Sequence, residues 1–239
     1  MLISVVLLAY KEAENLEVLL PQIKEILQKE RAQFELLIID TEQKLDNTDE
    51  VCARHGARYV NQRYPPFGGA FRTGIEEARG DVFLILDSDG SHDPKFIPSM
   101  LAAFGDGRGV DVVIGSRYTK GGVTHDDRTS ILMSRLLNGT FRLVLGIRAR
   151  DVSTDFRLYK TAYLKEVQLS CENYDVLEEV LLLMRLKHRD LVIREVPITF
   201  NKRMFGESKR RLLPFILSYI RTLFRLLCLR IRAEGRHHG

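Results

Sequence analysis

Val82-Phe83-Leu84-Ile85-Leu86 is an unbroken apolar run that stops at Asp87-Ser88-Asp89-Gly90-Ser91-His92-Asp93-Pro94. A run of this length between Gly80 and Gly90 predicts a strand covered on both faces. In open α/β sheets, ligands bind beyond the carboxyl ends of such strands, so Asp87 and Asp89 stand where a ligand is expected. Two carboxylates one residue apart suit a hard divalent cation that keeps some of its waters and bridges substrate phosphates. A solvated Asp-rich turn, with Ser88 and Gly90 serving its geometry, is the competing reading.

The rest of the chain repeats this grammar. Leu2 to Ala9 and Phe34 to Ile39 are apolar runs that read as strands, and Arg58 to Val60 and Val110 to Ile114 are shorter ones. Between them, Glu12 to Glu30, Thr48 to His55, Gly68 to Ala78 and Pro94 to Phe104 read as helices. Leu16, Leu19, Leu20, Ile23, Ile26 and Leu27 carry the helical spacing of the first, which Pro21 either bends or divides. Alternating strands and helices predict an α/β fold with a largely parallel sheet. After Gly122 the pattern loosens. Arg128 to Leu145 and Tyr174 to Lys187 read as helices, Phe156 to Tyr159 and Leu191 to Val196 as strands. Three of the strands end in polar groups: Tyr10 and Glu12, Asp40, and the Asp87/Asp89 pair. Parallel strands would gather these ends on one edge. Gly68, Gly69 and Gly74 beside Arg72 could let main-chain N–H groups approach a phosphate, or could simply form a tight turn.

With 239 residues, 45% of them hydrophobic and 28% charged, the chain has the composition of a globular protein with a substantial core. Cys52, Cys171 and Cys228 are far apart and odd in number, which points away from a disulfide framework and toward a reducing compartment. Met1-Leu2-Ile3-Ser4 lacks the basic start of a signal peptide. The net charge of +4 is uneven: residues from Asn201 onward carry +8 and the first 200 carry −4. No nucleic-acid partner is expected. The basic carboxyl-terminal part points to a local anionic one.

Six segments in order resemble the family 2 glycosyltransferases, and among them the dolichol-phosphate mannose synthase branch. They are Tyr10-Lys11-Glu12-Ala13-Glu14-Asn15-Leu16, Gly68 to Gly74, Leu86 to Pro94, Gly115-Ser116-Arg117-Tyr118, Asp151 to Lys160, and Glu195 to Phe200 with Gly206-Glu207-Ser208-Lys209. The resemblance implies a GT-A fold: a Rossmann-like, mixed but mostly parallel sheet flanked by helices over residues 1–210. A basic amphipathic helix and tail would follow over residues 211–239. It implies nucleotide-sugar contacts at Ala9, Tyr10, Glu12, Asp40, Gly69, Arg72, Asp87 and Ser88. Asp87 and Asp89 would be catalytic and hold Mg²⁺ or Mn²⁺. Arg128, Ser134 and Arg203 would bind the acceptor's phosphate. The sequence departs from the branch at Thr41-Glu42-Gln43, where a second acid would face the nucleobase, leaving GDP or UDP open. It departs again at Leu177-Glu178-Glu179, where only Glu179 matches.

The implied activity is a metal-dependent, inverting transfer of a hexose, mannose first, from GDP-mannose or a UDP-hexose to a polyprenyl phosphate. Such an acceptor is largely ionised at neutral pH and needs no protein base, whereas an alcohol needs one. Asp151, Asp155 and Glu179 are then the base candidates. A soluble alcohol or glycan acceptor, or a lapsed nucleotide-sugar-binding subunit, are the alternatives. His92 reads as a surface-turn histidine, since hard cations prefer oxygen, and His237 and His238 as a frayed end. Leu212 to Ile231 is rich in apolar residues, and at helical spacing Arg221, Arg225 and the following Arg232 fall on one stripe, preceded by Lys209, Arg210 and Arg211. A helix lying in a membrane interface at the cytoplasmic face is expected, against a helix packed on the domain or on a second subunit.

Overall fold

The structure is a computed structural model that describes residues 1–105, 107–205 and 212–235. In chain order the elements are β1 (Leu2–Leu8), α1 (Ala13–Lys29), β2 (Gln33–Asp40), α2 (Thr48–His55), β3 (Arg58–Asn61), α3 (Phe67–Glu77) and β4 (Val82–Ile85). Then come α4 (Ile97–Phe104), β5 (Val112–Ser116), β6 (Val123–Thr124), α5 (Arg128–Leu145), β7 (Arg157–Lys160), α6 (Thr161–Lys165), α7 (Val176–Lys187), β8 (Ile193–Pro197), β9 (Thr199–Phe200) and α8 (Leu212–Gly235). Seven strands form one sheet in the order β3-β2-β1-β4-β7-β5-β8, and β6 pairs with β9 beside it. All neighbours in the large sheet are parallel except β7, which runs antiparallel to both β4 and β5. The mixed, mostly parallel sheet expected from the sequence is therefore present.

Alternation along the strands explains the layers. Ile3, Val5, Leu7, Leu84 and Leu86 point into one apolar cluster, completed by Leu16, Leu20 and Ile23 of α1 and by Met100 of α4. Val6, Phe83 and Ile85 point into the other, completed by Phe71 of α3, Phe141 of α5 and Val180 of α7. Both faces are thus covered, as continuous apolar strands require. Phe83 meets Phe71 edge-on at 5.8 Å and Tyr159 at 6.3 Å. Each such side chain contributes about 1.5–3 kcal/mol on burial. α1 continues through Pro21 as one helix.

α5 has the bounds expected from the sequence because both ends carry explicit stops. Asp127 Oδ1 accepts from the N–H groups of Thr129 and Ser130 at 3.0 Å, capping the first turn. Gly146 ends the helix at φ 63°, a left-handed conformation that favours glycine.

α8 packs on the domain. Leu226 is fully buried, and Tyr219 meets Phe141 of α5 edge-on at 5.6 Å. This corrects the expectation of a membrane-interface helix. Arg225, on the supposed lipid-facing stripe, lies 2.9 Å from Glu179 of α7. Arg230 donates to the main-chain carbonyls of Leu143 and Val144 at 3.0 Å. No helix among the described residues is long and apolar enough to cross a membrane. Lys209, Arg210, Arg211, His237 and His238 lie outside the described residues.

Candidate active site

β1, β2 and β4 are adjacent and parallel, so their carboxyl ends share one edge. β7 is antiparallel, so its beginning lies at that same edge, with Arg157 opposite Ile85. Asp87, just past β4, and Asp155, just before β7, are brought together in this way. Between them sits His92, 1% exposed, with its ring 5.2 Å from that of Phe156 and 5.1 Å from that of Phe200. His92 is therefore not the surface-turn residue expected from its polar neighbours. Its aromatic wall comes from distant parts of the chain.

The main-chain N–H of Asp87 donates to His92 Nδ1 at 3.2 Å, and Nε2 faces Thr154 Oγ1 at 3.2 Å. Nδ1 therefore presents a lone pair. It lies 3.3 Å from Asp87 Oδ2 and 3.5 Å from Asp155 Oδ1. Burial drives the imidazole pKa down, against the pull of the Asp87 carboxylate, so the neutral ring is favoured. Acceptors of Asp87, His92 and Asp155 converge within 4.8 Å of one another. Such a convergence is what a divalent cation neutralises. The two carboxylates suit Mg²⁺ or Mn²⁺, while the Nδ1 lone pair is engaged by the Asp87 N–H. The residues fit the ion, and the chain carries a divalent-metal site suited to Mg²⁺ or Mn²⁺. When bound there, a cation held by Asp87 and Asp155 would supply Lewis-acid stabilisation to negative charge on phosphate oxygens.

Asp89 is turned differently. Its Oδ2 lies 3.0 Å from the Arg203 guanidinium, whose other terminal nitrogen donates to Glu12 Oε1 at 3.0 Å. Ser91 N–H donates to Asp89 Oδ1 at 2.9 Å, and Ser91 Oγ to Asp87 Oδ2 at 3.2 Å. Ser88 Oγ donates to the Leu8 carbonyl at 2.7 Å, fixing this loop to β1. Burial raises the Glu12 pKa, opposed by its hydrogen bond from Asn15 and by Arg203. At the end of β2, Asp40 is 1% exposed and accepts from Thr41 N–H at 2.8 Å and from Tyr59 Oη at 3.2 Å. Tyr10 is 48% exposed beside this edge, and Ala9 is buried.

Gly68 and Gly69 have a packing reason. A Cβ at Gly69 would strike the Tyr64 carbonyl, and one at Gly68 the Cys171 carbonyl. Gly68 N–H donates to the Glu172 carbonyl at 2.7 Å. Arg72 donates to the Cys171 carbonyl at 2.8 Å and lies 5.5 Å from the centre of the Tyr64 ring.

A cavity of about 430 Å³ opens beside the cation site. Asp87, His92 and Asp155 line it together with Ser134 and Met133 of α5, Leu177 of α7 and Tyr219 of α8. Arg117 lines it as well. Its Nε and Nη2 donate to the two oxygens of Asp151 at 2.8 Å, and its main-chain N–H to the same carboxylate at 2.9 Å. The same Nη2 also reaches Ser153 Oγ at 2.9 Å and Ser134 Oγ at 3.4 Å. Of the three residues expected to bind an acceptor phosphate, Ser134 lines the cavity. Arg128 begins α5 on the exposed surface, and Arg203 bridges Glu12 and Asp89. Of the three base candidates, Asp151 is the counter-ion of Arg117. Glu179 accepts from Ser170, Cys171 N–H and Arg225. Its burial raises its pKa, but these partners hold it below the usual carboxylate range. Asp155 alone of the three lines the cavity. Tyr219 carries no motif signal and is recognisable only once the chain is folded.

The description of glycosyl transferase family 2 matches residues 4–168, more than half of the chain. A dolichol-phosphate mannosyltransferase of Pyrococcus furiosus is 29% identical over 234 residues, 95% of this chain and 64% of that protein. An undecaprenyl-phosphate mannosyltransferase of Micrococcus luteus is 36% identical over 59% of each chain. This chain thus spans less than two thirds of the length of either. Among solved structures, mannosyl-3-phosphoglycerate synthase from Rubrobacter xylanophilus superposes with a TM-score of 0.76 at 18% identity, over 99% of this chain and 75% of that one. Glucosyl-3-phosphoglycerate synthase from Mycobacterium tuberculosis, in complex with Mn²⁺, UDP and phosphoglyceric acid, gives 0.72 at 22%, over 94% and 78%. These likenesses share the fold.

They also correct the narrower expectations. Structures that superpose over nearly the whole chain include glucosyl- and mannosyl-3-phosphoglycerate synthases, so the resemblance does not single out the dolichol-phosphate mannose synthase branch. The polyprenyl phosphate acceptor and the membrane partner fall with it, and α8 is docked on the domain. The part of the expectation that stands is coarser: this chain belongs to glycosyl transferase family 2 and has the GT-A fold, with a site suited to a divalent metal.

Proposed function

We propose that this enzyme transfers a hexosyl group from a nucleotide sugar to the hydroxyl of a small, soluble, phosphoglycerate-type acid. The observation that carries the reading is the cavity beside the cation site, which combines hydroxyl groups, the fixed Arg117 guanidinium and the Asp155 carboxylate. The fold likeness to the phosphoglycerate synthases supports it.

In this reading Ala9, Tyr10, Glu12, Asp40, Gly69, Arg72 and Ser88 border the donor. Asp87 and Asp155 hold the cation, and Asp89 acts through its pairing with Arg203. Ser134 and Arg117 face the acceptor. A cytoplasmic site of action fits the three unpaired cysteines.

The test incubates the full chain with UDP- and GDP-hexoses, Mg²⁺ or Mn²⁺, and 3-phosphoglycerate. A glycosylated acid is expected, abolished by chelation and restored by either cation. Asp87→Asn should lose transfer by orders of magnitude together with Mn²⁺ binding measured by calorimetry. Absence of transfer to 3-phosphoglycerate and to other small hydroxy acids, from either donor class, would overturn the reading.

A further inference from the structure

α8 brings more than packing to the site. Along one face, at helical spacing, Tyr219 and Thr222 are 5% and 3% exposed and Leu226 is fully buried. Thr222 donates its hydroxyl to Asp175, Arg225 pairs with Glu179 at 2.9 Å, and Arg230 reaches the carbonyls that end α5. These anchors fix the position of the helix, and with it the Tyr219 ring, which lies edge-on to Phe141. That ring lines the cavity that Asp87 and Asp155 also line. Among the described residues it is the only contribution of α8 to that lining.

Side chains packed to the density of a protein interior do not swing aside for a ligand at small cost. A ring held in this way is therefore a wall. The cavity of about 430 Å³ lies toward the small end of the roughly 300–1,000 Å³ typical of small-molecule sites. The transferred hexose must occupy part of it, and the acceptor has what remains. Leu137 and Leu177 flank the same space with apolar surface, which offers a longer polar acceptor no hydrogen bonds in return.

We infer that Tyr219 is a specificity-determining residue that limits the acceptor to a compact molecule, by filling the space a further sugar unit would need. The inference rests on the soluble-acceptor reading above and adds the size limit and the residue that sets it. An apolar wall discriminates against a single extra methylene by about 10- to 200-fold. Rejection of a whole additional ring should fall in that range or above it.

The experiment compares two acceptors, 3-phosphoglycerate and the same acid already carrying one hexose, at a saturating concentration of the donor that supports transfer. The quantity read is the ratio of kcat/KM for the extended acceptor to that for the compact one. Tyr219→Ala should raise this ratio at least tenfold, chiefly through a lower KM for the extended acceptor. Tyr219→Phe keeps the ring and should keep the wild-type ratio. Leu226→Ala loosens the same helix away from the cavity and should leave the ratio unchanged. If Tyr219→Ala does not fold, Tyr219→Leu preserves more of the packing and is read in the same way. The inference is overturned if 3-phosphoglycerate is glycosylated but the folded Tyr219 variant leaves the ratio within twofold of wild type. It is equally overturned if Leu226→Ala raises the ratio as much. If wild type glycosylates neither acceptor, the soluble-acceptor reading fails, and the size limit falls with it.

Discussion

Asp151→Asn tests whether that carboxylate is a counter-ion or a base. Asp151 is fully buried and receives three N–H donors from Arg117, at 2.8, 2.8 and 2.9 Å. The Arg117 side chain is 10% exposed, so water cannot replace the lost partner. Asparagine keeps the shape but removes the charge and turns one acceptor into a donor facing a guanidinium. Breaking a buried pair from one side costs about 3–5 kcal/mol, because the remaining charge is left uncompensated. With an m-value near 3 kcal/mol/M, the upper end of the usual range in urea, the midpoint should fall by about 1–2 M. The assay is equilibrium urea unfolding followed by circular dichroism and fluorescence, which must coincide for the free energy to be meaningful. A loss below about 1 kcal/mol would refute the counter-ion role. If transfer also vanished, Asp151 would return as a base candidate.

Two further perturbations follow from particular contacts. Glu178 is fully buried with no hydrogen-bond partner on either carboxylate oxygen, and burial pushes its pKa from 4.5 up to about 8, partly opposed by Arg157. The folded state then holds a proton that the unfolded state releases, so this residue's contribution to stability is full below pH 4.5 and is lost as pH rises toward 8. Glu178→Gln should remove that decline, seen as a flatter Tm–pH profile, and an unchanged slope would count against it. Gly69→Ala should destabilise by about 1–3 kcal/mol, because the added methyl meets the Tyr64 carbonyl. A variant as stable as wild type in urea would mean that the loop at Tyr64 yields freely.

The residues differ in how much of this could be foreseen. β4 is a continuous apolar run and β1 and β2 are mostly apolar, and α5 has an Asp cap and a terminal Gly, so local sequence carries their type and bounds. The convergence of Glu12, Asp40 and Asp87 on one edge follows from parallel pairing alone. His92 was not legible, because its neighbours Ser91 and Asp93 are polar while Phe156 and Phe200 come from far along the chain. The role of Arg225 was not legible either. A stripe of arginines on an apolar helix looks alike whether it meets lipid headgroups or a buried carboxylate, and only the tertiary pairing with Glu179 separates the two. Arg117 and Asp151 were each visible as part of a motif, but their bidentate pairing was not.

The reversed strand β7 has a thermodynamic consequence. Asp87 and Asp155 come from opposite halves of the chain, and only the antiparallel pairing of β4 with β7 sets them side by side. A partly folded chain lacking that register has no cation site to offer. Cation binding is therefore linked to the native state, adding RT ln(1 + [M]/Kd) to its stability for each occupied site. At one hundred times Kd this is about 2.7 kcal/mol, so the unfolding midpoint becomes a titration of the metal itself. Pairing across so long a stretch of chain is a late and slow event in folding, and the cation rewards only chains that have completed it.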